Sequence, residues 1–483
     1  MSKTSPIHAR VQHYAAHGSA VDFFNALTAP GLLDTLDAHL PAHRERLFPP
    51  TETLSMFLAQ ALSADGSCRW TVDQAATFRV LADLPCCSTA TGGYCRARAR
   101  LPLALIQQLT RETAESFEAQ TPAHWHSAGR RVRVVDGTTL SLPDTPANQA
   151  RYPQPRAQQP GLGFPICRVV AAFNLADGAL VDAAIGGYRG KGAHEQTLLR
   201  ELLDRFAPDD ILLGDALFST YLLLADLAER GIDGVFEQHG ARRRSTDFRR
   251  GQKLGPRDHR IILTKPRKKP DWMSAEDYEA AADHLTVREL AVGGKVLVTT
   301  LIDPQQWPKH ALQRLYQQRW DIEINLRHIK TTLGMDTLRC KTPDMAEKEV
   351  WVHLLAYNLI RGLMADSARY ADVLPRQLSF KHTVQLWESW RIQARLISTD
   401  APVDGLLELI AQHRVTNRSG RIEPRAVKRR PKPFPLLSVP RAEAREFIRQ
   451  HGHPNRKSGE GFRPQAKAAS SSRRSRFAVE ELK

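Results

Sequence analysis

The chain has 483 residues, six of them cysteine, with 68 Lys and Arg against 52 Asp and Glu and a formal net charge of +16. That length allows roughly three or four structural units around a large core. No stretch approaches the roughly 20 apolar residues of a membrane span, the opening MSKTSPIHARVQHY lacks the apolar run of a secretory leader, and the few cysteines do not make a disulfide framework; no membrane partner and a reducing, cytoplasmic setting are expected.

Residues 1–125 read as helical. Helical apolar periodicity runs through 52–64, 71–83 and 102–118, with a turn signal at Thr91-Gly92-Gly93. Cys68, Cys86, Cys87 and Cys95 cluster without paired C-x2-C spacing, so small buried thiols are the simpler reading than a zinc site.

From Arg131 the pattern turns to strands. RVRVVDGTTLSL alternates, with Val132, Val134 and Asp136 on one parity, which puts the acid at the end of an apolar face. CRVVAAFNLADGALVDAAIGG reads as a hairpin turning at Asp177-Gly178, and HEQTLLRELLDRFA as an amphipathic helix. DDILLGDALF is a continuous apolar run ending in Asp215, the pattern of a strand buried on both faces. STYLLLADLAERG gives a further helix and GVFEQ a further strand. The order β-β-β-α-β-α-β is that of a mixed sheet covered by helices, an α/β fold of ribonuclease-H-like architecture.

Residues 237–310 interrupt this order. They are basic first and then strand-like, in HRIILTK, LTVRELAV and KVLVTTLI, a β-rich insertion. Helices resume at 311–335 and 346–369. Beyond about 413 the chain is rich in Arg, Lys and Pro, and its end is expected to lack fixed structure. The expected organisation is a helical region 1–125, a ribonuclease-H-like core over 126–236 and 311–370 split by the insertion 237–310, and C-terminal helices with a basic tail over 371–483.

Charge is unevenly spread. Residues 242–270 carry a balance of +10 and residues 414–483 one of +13, so the remainder sums to −7. Two basic blocks on a mildly acidic body point to a polyanion partner, DNA or RNA. There is no G-x-x-x-x-G-K-[ST], and GGYRGKGAH has the wrong spacing, so no nucleotide cofactor is expected.

The most informative stretch is LYQQRWDIEINLRHIKTTLG, in which Tyr316, Arg319, Glu323 and Lys330 stand at spacing Y-x2-R-x3-E-x6-K. On one continuous helix, Arg319, Glu323 and Lys330 fall roughly 60°, 20° and 40° to one side of Tyr316. Ile322, Leu326, Ile329 and Leu333 form a second, apolar stripe, so the charged stripe borders a packed surface. Asp321 points away from Glu323. A carboxylate on such a face can hold a divalent metal, and the neighbouring cations can hold phosphates. Asp136 and Asp215 end core strands and can meet Glu323 on a helix packed on the same sheet. Three carboxylates suit two hard cations, Mg²⁺ or Mn²⁺, which together activate a water or 3′-hydroxyl and stabilise the leaving oxygen of an in-line displacement.

These blocks resemble a DDE transposase of a bacterial insertion sequence, of the IS-four family. The resemblance is carried by VVDGTTLSLPDTPANQARYPQP, GLGFPICRVVAAFNLADG, GDALFSTYLL, YQQRWDIEINLRHIKTTLGMDTLRCKTPDM and NRSGRIEPRAVKRRPKPFPLL, spanning about residues 50–437. It implies Asp136, Asp215 and Glu323 as the catalytic, metal-binding triad. It implies Tyr316, Arg319 and Lys330 as phosphate contacts at the element's end, with Trp320 at the family's aromatic position. Relatives use the insertion to hold a flipped base; its tryptophans, Trp272 and Trp307, read as core. The resemblance also implies cleavage at the element's ends and strand transfer into target DNA, a homodimer on double-stranded DNA, a helical region that binds the ends, and a place at the bacterial nucleoid. Two other readings stay open: a metal-dependent nuclease on the same fold without strand transfer, and a non-catalytic, transposase-derived DNA-binding regulator.

Overall fold

The computed structural model describes residues 48–81, 87–159, 161–190, 193–243, 246–397, 403–415 and 439–451. The expectations for Cys86, for 1–47, for most of the basic tail and for the loop residues Lys191 and Gly192 lie outside these residues.

Helices α1 (Pro50–Leu62), α2 (Cys68–Leu81), α3 (Gly92–Arg100) and α4 (Leu103–Ala119) come first. The Gly92-Gly93 pair, expected as a turn, instead opens α3. The Phe48 ring packs over this helix start, where a Cβ at Gly93 would meet it at an ordinary contact distance of 3.4 Å.

The strands follow in the expected order: β1 (Val132–Ser141), β2 (Ile166–Asn174), β3 (Leu180–Gly187), α6 (Glu195–Arg200), β4 (Ile211–Gly214), α7 (Tyr221–Glu229) and β5 (Asp233–Glu237), with a short α5 (Pro146–Arg151) after β1. The hairpin turns where predicted. Gly178 has φ +78°, and Asp177 accepts the Ala179 amide at 2.7 Å, a conformation for which glycine has no Cβ penalty. Next come the short α8 (Gly240–Arg243), β6 (Gln252–Gly255), β7 (Asp258–Thr264), α9 (Ala275–Ala280), β8 (His284–Val292) and β9 (Lys295–Thr299).

All nine strands form one sheet in the order β3-β2-β1-β4-β5-β9-β8-β7-β6. β1, β4 and β5 run parallel, β2 and β3 antiparallel to their neighbours, and β9 pairs antiparallel with β5 through Phe236 and Val298. The β-rich segment therefore prolongs the sheet.

Alternation on β1 assigns the two faces. Val132 and Val134 join a core with α1, α4 and α12 (Pro343–Tyr370), and Val135 joins Leu198 of α6 and Leu223 and Leu227 of α7 on the other side. The edge strand β3 is capped by α12. Asn358 accepts the Leu180 amide at 2.7 Å and donates to the Leu180 carbonyl at 2.9 Å, filling the place of a missing neighbour strand.

The predicted helix 311–335 is divided into α10 (Lys309–Gln317), α11 (Trp320–Arg327) and a π-helical turn, His328–Thr332. Helices α13 (Phe380–Ile397) and α14 (Val403–Gln412) follow. The chain forms two units, one of residues 1–153 and 164–419 and a smaller one of 154–163 and 420–483. Within the smaller unit the described helix is α15 (Arg441–His451).

Candidate active site

Asp136 sits in the middle of β1 rather than at its end, because the strand continues to Ser141. β1 and β4 are parallel, with Val134 opposite Leu213. Two more steps of that register put Asp136 beside Asp215, and paired residues of parallel strands project to the same side of a sheet. Asp215 keeps an extended backbone (φ −81°, ψ −173°) and caps the next turn, its Oδ1 accepting the Leu217 amide at 2.8 Å. Oδ1 of Asp136 accepts the Gly137 amide at 2.8 Å. Each aspartate thus commits one oxygen to the backbone, and the other accepts no hydrogen bond from the described residues.

The charged helix lies on the α12 side. Ile322, Leu326, Ile329 and Leu333 are all buried, as their spacing predicted. The helix is not continuous, however. Around residue 319 it tightens to three-residue hydrogen bonds, Arg319 to Tyr316 and Ile322 to Arg319, both at 3.1 Å, and at 328 it widens into the π turn. Tyr316 and Arg319 are nearly covered, while Trp320 is 59% exposed. Arg319 forms the hub. Its guanidinium lies 6.0 Å from the Tyr316 ring centroid and 5.6 Å from that of Trp320, and donates to Glu323 Oε1 at 3.3 Å. Lys330 Nζ donates to Thr138 Oγ1 at 3.1 Å and to the Thr139 carbonyl at 3.0 Å, fastening the π turn to β1 just past Asp136. Asp321 faces away, paired with Arg376 at 3.4 Å.

Burial pushes the Asp136 carboxyl up to about 6, with Asp215 and Glu195 adding to the rise and the Gly137 amide and Arg319 opposing it. This is an all-oxygen donor set with more negative charge than its surroundings balance, which suits a hard divalent cation. Among the described residues no three His, Cys, Asp or Glu stand close enough together to hold one ion. Asp136 and Asp215 each keep one carboxylate oxygen that accepts no hydrogen bond from the described residues, the donor type such a cation takes, and Glu323 is paired with Arg319.

The raised value has a consequence for stability. A carboxyl whose folded-state pKa exceeds its unfolded one favours the fold fully below about pH 4 and loses that contribution as pH rises through about 6. Asp136→Asn is therefore expected to raise the melting temperature at pH 8 in EDTA, by up to about 3 kcal/mol of stability, and to change little at pH 4. Equal melting shifts at both pH values would refute the assignment of the strain to this charge.

Three residues of the site had not stood out in the sequence. Glu195 opens α6 and lies against Gly137, where a Cβ would stand 2.4 Å from its carboxyl carbon. Glu237 ends β5, with Tyr316 Oη at 3.5 Å and Lys295 Nζ on the same carboxylate oxygen. Lys295 is thus brought from β9 to within 5.7 Å of the Tyr316 ring centroid. The glycine directly after Asp136 was the available signal for Glu195, but only topology says what approaches it. Of the two tryptophans expected in the core, Trp307 is buried. Trp272 is 45% exposed, a correction: its ring takes the Arg200 guanidinium 4.0 Å away instead of packing inside.

Comparison with known proteins gives a consistent picture. Residues 127–359 match the transposase DDE domain family. The transposase InsG for insertion sequence element IS4 of Escherichia coli strain K12 is 30% identical over 363 residues, 72% of this chain and 78% of that protein. A shorter match, 29% over 106 residues, covers 22% of this chain and 25% of the putative transposase InsL for insertion sequence element IS186A of the same strain. The transposase for insertion sequence element IS421 of Escherichia coli matches to the same extent.

Proposed function

The chain belongs to the DDE transposases of the IS4 family, and we propose from that premise that Asp136, Asp215 and Glu323 are its catalytic acids, holding two Mg²⁺ or Mn²⁺ ions. The observation that carries this reading is that Asp136 lies on β1 and Asp215 directly follows β4, the strand paired parallel with β1, near enough for the Asp215 charge to act on Asp136, with the Arg319–Glu323 pair on the neighbouring helix. When bound, the ions would activate the attacking oxygen and stabilise the leaving one. The residues of the chain supply the rest. Asp136 and Asp215 each offer one uncommitted oxygen. Glu323 completes the set when Arg319 gives it up, and the natural competitor for that guanidinium is a phosphate of the DNA. Arg319 therefore links substrate arrival to assembly of the site. Trp320, exposed beside it, is free to stack on a base or sugar.

The strand order 3-2-1-4-5, with β1, β4 and β5 parallel, supports a ribonuclease-H-like core over 126–236 and 311–370. The segment 237–310 is then an insertion that lengthens the sheet, with 1–125 the end-binding region and 371–483 helices and a basic tail. The partner is double-stranded DNA, as transposon ends and target, bound by a homodimer; no nucleotide cofactor is required, because one phosphodiester is exchanged for another. Exposed cations in the insertion, Arg249 and Arg250 among them, add sequence-independent affinity. No described helix is long and apolar enough to cross a membrane.

Pre-cleaved ends incubated with a target plasmid and Mg²⁺ test the reaction class. Joined product is the expected outcome. Nicking without joining would identify a nuclease, and binding with neither would identify a regulator.

A further inference from the structure

We infer that Glu195 is a fourth acidic group of the same cation centre, reaching it from the face of the sheet opposite Glu323, and that Gly137 is a glycine in order to admit it. The inference rests on the assignment of Asp136 and Asp215 to that centre. Gly137 has the parity of Val135, and so faces α6 and α7, whereas Asp136 faces α11. The Glu195 carboxylate fills the space where a side chain at 137 would be. A Cβ there would come to 2.4 Å from its Cδ and 2.7 Å from its Cγ and Oε1. No real side chain tolerates such contacts, so a glycine after Asp136 is the condition for this acid to stand where it does.

Glu195 is also fixed to the segment that carries Asp215. Its neighbour Gln196 donates to the Leu217 carbonyl and accepts from Thr220 Oγ1 at 2.9 Å. The helix start is thereby bolted to the turn that Asp215 caps. Among the described residues, the cation paired with Glu195 is Arg168. Arg168 Nε stands 3.6 Å from Oε1, beyond hydrogen-bond length, and makes no hydrogen bond with the described residues, while its NH1 is spent on the Ala193 carbonyl at 2.6 Å. The charge of Asp215 reaches Glu195 as well. A carboxylate packed against the residue after Asp136, on a helix start tied to the Asp215 turn and with an incomplete ion pair, is placed to meet a cation from solution. As a positioning group it would act directly or through water on an ion held by Asp136 and Asp215.

The test is Mn²⁺ binding to the full-length protein without DNA, followed by electron paramagnetic resonance of the free ion. Glu195→Gln is expected to weaken Mn²⁺ binding about ten-fold and to raise the Mg²⁺ concentration for half-maximal cleavage in parallel, with end-duplex binding in EDTA unchanged. Gly137→Ala, which must displace the carboxylate, should do the same. Should Glu195→Gln not fold, Glu195→Asp carries the measurement, with a smaller weakening in the same direction. If Asp215→Asn loses Mn²⁺ affinity while both the 195 and 137 variants keep it within two-fold, Glu195 is not part of the centre. If Asp215→Asn also leaves Mn²⁺ binding intact, the assignment of the aspartates fails and the inference falls with it.

Discussion

Glu323→Gln is expected to abolish cleavage of end-bearing DNA, by on the order of 1,000-fold or more, while binding of the same duplex stays within about two-fold of wild type. The structure makes this substitution unusually clean. The Glu323 side chain is 44% exposed, and its protein partner among the described residues is Arg319, four residues earlier on the helix. An i,i+4 pair of this kind, with its carboxylate end in solvent, contributes about 0.5 kcal/mol to folding. Glutamine keeps an acceptor for the Arg319 guanidinium and removes only the charge. Duplex binding within two-fold of wild type then separates a loss of chemistry from unfolding or a displaced Arg319. Gel-shift and cleavage assays on one preparation check it, and cleavage within ten-fold of wild type would remove Glu323 from the chemistry.

The places of the two aspartates on the sheet were legible in the sequence for different reasons. Asp136 showed through alternation on β1 and Asp215 through the apolar run of β4, both local patterns with a period fixed by backbone geometry. The hairpin at Asp177-Gly178 was legible because only a left-handed residue turns so tightly there. The apolar stripe Ile322, Leu326, Ile329 and Leu333 survived the division of its helix, since burial on α12 tolerates the small angular error. The same division spoiled the finer reading of the charged stripe. Tyr316 lies on α10, Glu323 on α11 and Lys330 in the π turn, so one helical wheel does not describe them. Nothing local signals the pairing of β9 with β5, because a strand's own sequence does not name its partner. Glu195, Glu237 and Lys295 stayed hidden for that reason: each reaches the site through a contact between distant segments.

Arg288→Ala is expected to be the most damaging single truncation in the β-rich segment, costing about 3–5 kcal/mol. Arg288 on β8 is 1% exposed and forks onto Asp258 at the start of β7, with Nε to Oδ1 at 2.8 Å and NH2 to Oδ2 at 2.6 Å. Its NH1 donates to the Trp307 carbonyl at 2.7 Å, in the turn that leads into α10. Removing the guanidinium leaves a carboxylate, 4% exposed, and a carbonyl buried without their donor. The cost is the uncompensated charge rather than the pair's own net worth. The double variant Arg288→Met with Asp258→Leu should therefore recover most of the loss, since apolar groups of similar size remove the uncompensated charge and leave only the Trp307 carbonyl without its donor. Amide hydrogen exchange reads the effect locally. Protection should fall across β7, β8 and β9 and in α10, because Lys309 Nζ also ties the start of α10 to the Pro256 carbonyl at 2.7 Å beside the same strand. Through α10 the loss reaches Tyr316, so cleavage should fall as the segment loosens and return in the double variant. A double variant no more stable than Arg288→Ala would show that the fork is needed for its geometry and not merely to neutralise Asp258.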